Sequence, residues 1–162
     1  MALEIERKFL VSGDYTKAAY GHYDIIQGYI AHQNGNSVRI RISDKDALLT
    51  IKGPTDEAGM SRFEWNHHIE LEDARELMKL CGDGLIEKRR YLVHSGPHVF
   101  EVDEFHGENE GLVVAEVELQ SETEPFEKPD FIGEEVTGDH RYYNAWLTRH
   151  PYRSWGVADN AE

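Results

Sequence analysis

The 162-residue chain reads as an α+β fold that is mainly antiparallel β, either a closed barrel or a strongly curved sheet, with a few flanking helices. Three observations carry that reading. Short runs of alternating apolar and polar residues recur from end to end. Turn signals separate many of them: HQNGNS at 32–37, KGPTDEAGMS at 52–61, SGPH at 95–98 and HGENEG at 106–111. Helical spacing, by contrast, is rare.

Strands are expected at roughly 2–10, 22–31, 37–43, 47–53, 61–70, 86–94, 98–105 and 112–121. The first contains EIERK, with Glu4, Glu6 and Lys8 on one face and Leu3, Ile5 and Phe9 among the alternate positions. VRIRI sets Arg39 and Arg41 against Val38, Ile40 and Ile42, and LLTIK sets Thr50 and Lys52 against Leu49 and Ile51. SRFEW sets Arg62 and Glu64 against Phe63 and Trp65, while IEKRRYL aligns Lys88 with Arg90. FEVDEF pairs Glu101 with Asp103, and VVAEVEL pairs Glu116 with Glu118. One helix is expected over Leu71–Gly84, where Leu71, Ala74, Leu77, Met78 and Cys81 follow the helical period before a glycine. Shorter helices are expected at 12–20 and over Asn144–His150, ahead of Pro151 and a flexible tail from about 153 to 162.

Same-face neighbours on a strand are only about 7 Å apart, so paired like charges need a reason. A wet outer face is one. Ordinary solvated faces intersperse Lys, Glu, Thr, Ser and Gln, however, whereas here some strands are wholly basic and others wholly acidic on one face. The other arrangement is a barrel whose charges line the lumen and whose apolar side chains face outward. Such a lumen is costly unless its charges are compensated by each other, water, metal or ligand. Carboxylates suit a hard divalent cation, and Arg and Lys suit phosphate oxygens. Together they describe a metal-bound polyphosphate site. The pattern alone leaves both arrangements open.

Composition bounds the rest. The length suits a single domain over 1–162, and no repeat or linker divides it. No apolar run approaches the ~18 residues of a membrane helix. Glu4, Glu6, Arg7 and Lys8 interrupt any secretory h-region, and Cys81 is alone, so a cytoplasmic location is expected. A net charge of −14 argues against nucleic-acid and anionic-membrane partners without excluding a local cationic pocket. Other chemistries lack support. His67-His68 has no metal-binding spacing, GPTDEAGMS lacks the P-loop ending, GxSxG is absent, and Cys81 lies on an apolar helical stripe.

The ordered charged residues resemble the CYTH domain, or triphosphate tunnel metalloenzyme, family. Its ExExK signature is Glu4-Ile5-Glu6-Arg7-Lys8 here. The likeness continues through Gln27-Gly28-Tyr29, Arg39-Ile40-Arg41, Thr50-Ile51-Lys52, Ser61-Arg62-Phe63-Glu64, Glu87-Lys88-Arg89-Arg90-Tyr91, Val102-Asp103, Glu116-Val117-Glu118 and His140-Arg141-Tyr142-Tyr143-Asn144, about residues 2 to 148. It is nearest to compact bacterial members that hydrolyse inorganic tripolyphosphate. The resemblance implies an eight-stranded closed antiparallel tunnel and a Mg²⁺- or Mn²⁺-dependent triphosphatase. It implies metal-side carboxylates at Glu4, Glu6, Asp103, Glu116 and Glu118, with Glu4 and Glu6 counted as catalytic. Phosphate would be held by Lys8, Arg39, Arg41, Lys52, Arg62, Lys88, Arg90 and Arg141, with Glu64 orienting the basic side chains; a simple cross-strand ion pair also explains Arg62 and Glu64.

Lys88, crowded by cations, is also a candidate to position or deprotonate the attacking water, although phosphate binding is the simpler role. Substrates consistent with the pattern are tripolyphosphate, ATP and thiamine triphosphate, the last with Trp65 or a tyrosine stacking on its organic part. A class IV-like adenylyl cyclase and a noncatalytic polyphosphate- or nucleotide-binding module use the same charges, and a homodimer is compatible with them.

Overall fold

The computed structural model describes residues 3–44, 46–82 and 84–156. Its strands are β1 (Leu3–Val11), β2 (Gly21–Gln33), β3 (Asn36–Ser43), β4 (Asp46–Lys52), β5 (Ser61–His68), β6 (Ile86–Ser95), β7 (His98–Phe105), β8 (Val113–Glu118) and β9 (Ile132–Glu135). The helices are α1 (Leu71–Met78) and α2 (Asn144–Leu147). All pairings are antiparallel, in the order β5-β4-β3-β2-β6-β7-β8-β1-β9. Leu3–Ile5 of β1 then pair with Ser61–Phe63 of β5, closing the first eight strands into a barrel with β9 outside the ring.

Each expected strand is present with ends shifted by a few residues. Strand β9 was not foreseen. IGEE shows no alternation, and it is a strand because β1 offers its outer half at Phe9 and Val11 as a template. The helix expected at 12–20 is absent. Asp14 instead accepts from the Thr16 backbone N–H at 3.0 Å and the Thr16 hydroxyl at 2.7 Å, a local turn that competes with helix. Helix α1 stops at Met78, after which the Lys79, Leu80 and Cys81 N–H groups bond three residues back. That tightening seats Cys81 on Gly28, where an added Cβ would stand 2.7 Å from the Cys81 Cβ. The β2–β3 turn is Asn34-Gly35, with φ of 55° and 80°, as a two-residue hairpin loop requires.

The apolar faces point outward. Phe9, Phe100, Val102, Ala115 and Val117 pack beneath Tyr15, Phe126 and Phe131 from the two long connections. Ile40 and Ala47 pack beneath Ala74 and Cys81. A fully buried Phe or Ile contributes about 1.5–3 kcal/mol, so these outer layers hold the charged interior in place.

The inward faces change character along their length. Leu10 follows Lys8, Val114 precedes Glu116, Phe105 follows Asp103 and Ile86 precedes Lys88. Ile86, Phe105 and Val114 join Leu112, Val136, Tyr142 and Leu147 in one cluster, with Leu10 packed against it. The barrel is therefore charged through its middle and stoppered at one end by an apolar plug that the C-terminal segment completes. Tyr152 and Trp155 pack against this plug; positions 157–162 of the tail lie outside the described residues.

Candidate active site

Strand register decides which charges meet. Glu6 lies opposite Glu118 and Lys8 opposite Glu116 across β1 and β8, while Lys52 lies opposite Glu64 across β4 and β5. Arg90 lies opposite Asp103, and Gln27 opposite Arg41. The result is a cavity of about 410 Å³ whose lining includes Glu4, Glu6, Lys8, Arg39, Arg41, Lys52, Arg62, Glu64, Lys88, Arg90, Glu116 and Glu118. The charged lumen, and not the wet outer face, is what the strands build.

One wall is acidic. Lys52 Nζ donates to Glu4 at 2.9 Å and lies 3.2 Å from Glu64, so two carboxylates share one ammonium. Burial, only partly countered by Lys52, pushes Glu4 up to about 7. Burial would also raise Glu64, but hydrogen bonds from Glu4 and Asn66 and the Lys52 charge bring it down to about 2. Glu6 is driven well above the usual carboxylate range by burial, then by Glu116 and Glu4 beside it. Glu116 is held at about 2 because Lys8 and Arg90 overcome its own burial and the Asp103 charge. Glu118 is raised by burial and by Glu64 and Glu101. Among the described residues no three His, Cys, Asp or Glu side chains are already gathered as a coordination shell. The donor chemistry nevertheless fits a hard cation, since a positive charge among Glu6, Glu116 and Glu118 relieves the crowding that protonates Glu6.

The opposite wall is basic. Arg39 donates to Thr50 Oγ1 at 3.1 Å, but its Nε is buried with no hydrogen-bond partner. Arg41 donates to the Gln27 amide oxygen at 2.8 Å, and burial, then the neighbouring Arg39 and Arg90 charges, bring it down to about 9. Among the described residues neither arginine pairs with a carboxylate. Lys88 donates to Asp103 at 2.7 Å and to Asn144 Oδ1 at 2.8 Å. Burial lowers it to about 7, with Asp103 opposing and Arg90 and Arg41 adding to the fall.

Two expected site residues stand elsewhere. Asp103 does not face the cavity as a metal ligand: it is 1% exposed and its oxygens accept from Arg90 Nε at 2.7 Å, from the Arg90 Nη2 at 2.9 Å and from Lys88. That grip uses the lone pairs a metal would need. Arg141 lies outside the cavity lining, bound to Asp139 at 2.7 Å with its guanidinium over the Tyr142 ring. Arg62 stays at the rim, donating to the Gly53 and Gly35 carbonyls and not to Glu64. Sequence reading gave no role to Gln27, Tyr29, Thr50, Asn66, Tyr143 or Asn144, which also join the lining or its hydrogen bonds. They carry no charge; all but Asn66 stand in the motifs that carry the family likeness, and that membership, together with strand register for Gln27, Tyr29, Thr50 and Asn66, is the signal that marks them.

A stability profile follows from the raised carboxylates. Unfolded Glu titrates near 4.3, whereas folded Glu4 and Glu6 keep their protons to higher pH, so the folded state binds more protons in between. The ligand-free protein is therefore expected to lose stability as pH rises from about 4.5 through 7, and divalent metal should flatten that slope. Glu64 and Glu116 act oppositely: their contribution is present above about 4.3 and is lost as pH falls toward about 2. Thermal melts across pH, with and without Mg²⁺, check both limbs.

Comparison with known proteins adds four likenesses. Residues 2–144 match the CYTH domain family model. An inorganic triphosphatase of Acetivibrio thermocellus is 46% identical over 96% of this chain and 99% of its own, and one of Nitrosomonas europaea is 34% identical over 89% and 95%. A solved structure of an inorganic triphosphatase matches with a TM-score of 0.64 at 32% identity, covering 90% of this chain and 97% of that one.

Proposed function

This chain belongs to the CYTH domain family, and from that premise we propose that it is a metal-dependent triphosphatase acting on inorganic tripolyphosphate. The observation that supports this most is the pair Arg39 and Arg41, one buried and one half-buried guanidinium in the cavity without carboxylate partners among the described residues, the first with an unsatisfied Nε. A chain of phosphates supplies several anionic oxygens at once, which one carboxylate cannot.

Family membership implies a divalent metal, and the all-oxygen donors favour Mg²⁺ or Mn²⁺ held by Glu6, Glu116 and Glu118, with Glu4 nearby. Such an ion would neutralise phosphate oxygens and lower the pKa of the attacking water. The protein's own groups do the rest. Arg39, Arg41, Arg90 and Lys8 bind the phosphate oxygens and stabilise the charge that develops on the leaving group. Lys52 and Glu64 hold Glu4 in position. Asp103 fixes Arg90 and Lys88, and Lys88, with its lowered pKa, can hand over or receive a proton at Nζ near pH 7. Water attacks the terminal phosphoryl group in line with the departing pyrophosphate.

The deciding measurement is release of phosphate from tripolyphosphate, ATP and thiamine triphosphate, with cyclic-nucleotide formation followed in parallel, in Mg²⁺ or Mn²⁺. Tripolyphosphate is expected to be the best substrate, and activity should vanish with chelator and return with metal. Full turnover after verified metal removal would exclude the mechanism, and cyclic nucleotide as main product from ATP would exclude the hydrolase.

A further inference from the structure

Arg90, buried, and Arg41, half-buried, are neighbouring guanidiniums that the protein treats differently. Arg90 is gripped by Asp103 and Glu101, two carboxylates. Arg41 is held by Gln27, a neutral amide that is itself fully buried. The direction of that amide is forced by a chain of obligatory donors. While protonated, the Lys88 ammonium can only donate, so it turns Asn144 Oδ1 toward itself at 2.8 Å. Asn144 Oδ1 also accepts from Gln27 Nε2 at 3.1 Å, and the same Nε2 reaches the Tyr29 hydroxyl at 3.1 Å. Gln27 Oε1 is thereby left pointing at Arg41 Nε.

We propose that Gln27 is a positioning residue for the phosphate clamp: it fixes Arg41 through a neutral acceptor, so the guanidinium is aimed without its charge being spent before substrate arrives. Asn144, at the start of α2, anchors Gln27 and ties the C-terminal segment to the clamp. This rests on the reading of Arg41 as a phosphate ligand. A glutamate at position 27 would hold Arg41 more strongly but cancel its charge, and a methionine would fill the space without holding it. Both variants lose the amide N–H donors, so comparing them isolates the acceptor.

The test is a steady-state comparison of Gln27→Glu, Gln27→Met and Arg41→Gln on tripolyphosphate in saturating Mg²⁺, with melting temperatures. Gln27→Glu is expected to raise KM about tenfold or more, on the scale of one lost charge-assisted contact, while melting no lower than Gln27→Met. A merely structural glutamine predicts the reverse, with Gln27→Glu near wild-type KM and Gln27→Met the worse protein. If Arg41→Gln raises KM but Gln27→Glu stays within about twofold of wild type, well below one such contact, the neutral-acceptor role is wrong. If Arg41→Gln leaves KM unchanged, the phosphate reading of Arg41 fails and this proposal falls with it.

Discussion

Asp103→Ala is expected to abolish measurable turnover and to destabilise the protein by about 3–5 kcal/mol, the cost of stranding buried charge without its partner. Asp103 binds Arg90 through two nitrogens and Lys88 through a third, all while almost wholly buried. Among the described residues, its removal leaves Arg90 with Glu101 as its one ion-pair partner, and Lys88 with the Asn144 oxygen and the face of the Phe105 ring. Lys88 then sheds its proton more readily still, since the charge that opposed its burial is gone. The pH dependence has a definite sign. Burial would raise Asp103, but Arg90 and Lys88 hold it well below the usual carboxylate range, so its contribution is present above about pH 4 and survives into strong acid. Denaturant titrations should show a gap between wild type and variant that is full above about pH 4, narrows progressively as pH falls below that, and is still partly present at about pH 3. A loss under about 1 kcal/mol, the scale of an exposed ion pair, would contradict the buried-triad account.

Glu6→Gln is expected to act in the opposite direction on stability while costing about a hundredfold or more in activity at limiting metal, the scale of losing one charged ligand oxygen. Glu6 sits among Glu116 and Glu4 with its proton held by burial and repulsion, so an amide there removes a conflict and the metal-free protein should melt higher. The same change deletes a donor to the cation. Excess Mg²⁺ should restore part of the rate. Lys8→Met on the same strand should leave the metal requirement alone and raise KM, since Lys8 contacts Glu116 at 3.7 Å and lies over the Tyr143 ring without being a metal ligand. Rates titrated against metal and tripolyphosphate separately, with circular dichroism for folding, distinguish the two. Matching, near-normal kinetics in both variants would remove EIERK from the site.

Much of this was legible because a strand exposes its faces at every second residue. EIERK, VRIRI and VVAEVEL fixed which charges share a side, and register in the structure merely joined them. Two kinds of information were not legible. Asp103 and Glu116 have the same alternation, and only the third dimension shows that Asp103 meets Arg90 squarely while Glu116 faces the cavity. Arg141 lies in a short 3-10 turn with no period to reveal its direction, and the structure turns it to Asp139. Strand β9 escaped for a related reason: its pairing partner, not its own residues, makes it a strand.

The apolar stopper has a kinetic meaning. With apolar side chains closing one end among the described residues, a phosphate chain bound as proposed would enter end first from the charged side, and what is made from it would back out the same way. On the proposed function, pyrophosphate and phosphate leaving through the mouth would pass the same lining arginines that had bound the substrate. Those residues face a compromise between catching and releasing, and a clamp tuned only for capture would be throttled by its own products. If the clamp works as proposed, its mixture of a guanidinium paired with carboxylates, Arg90, and guanidiniums without them among the described residues, Arg39 and Arg41, would set how fast the doorway clears between turnovers.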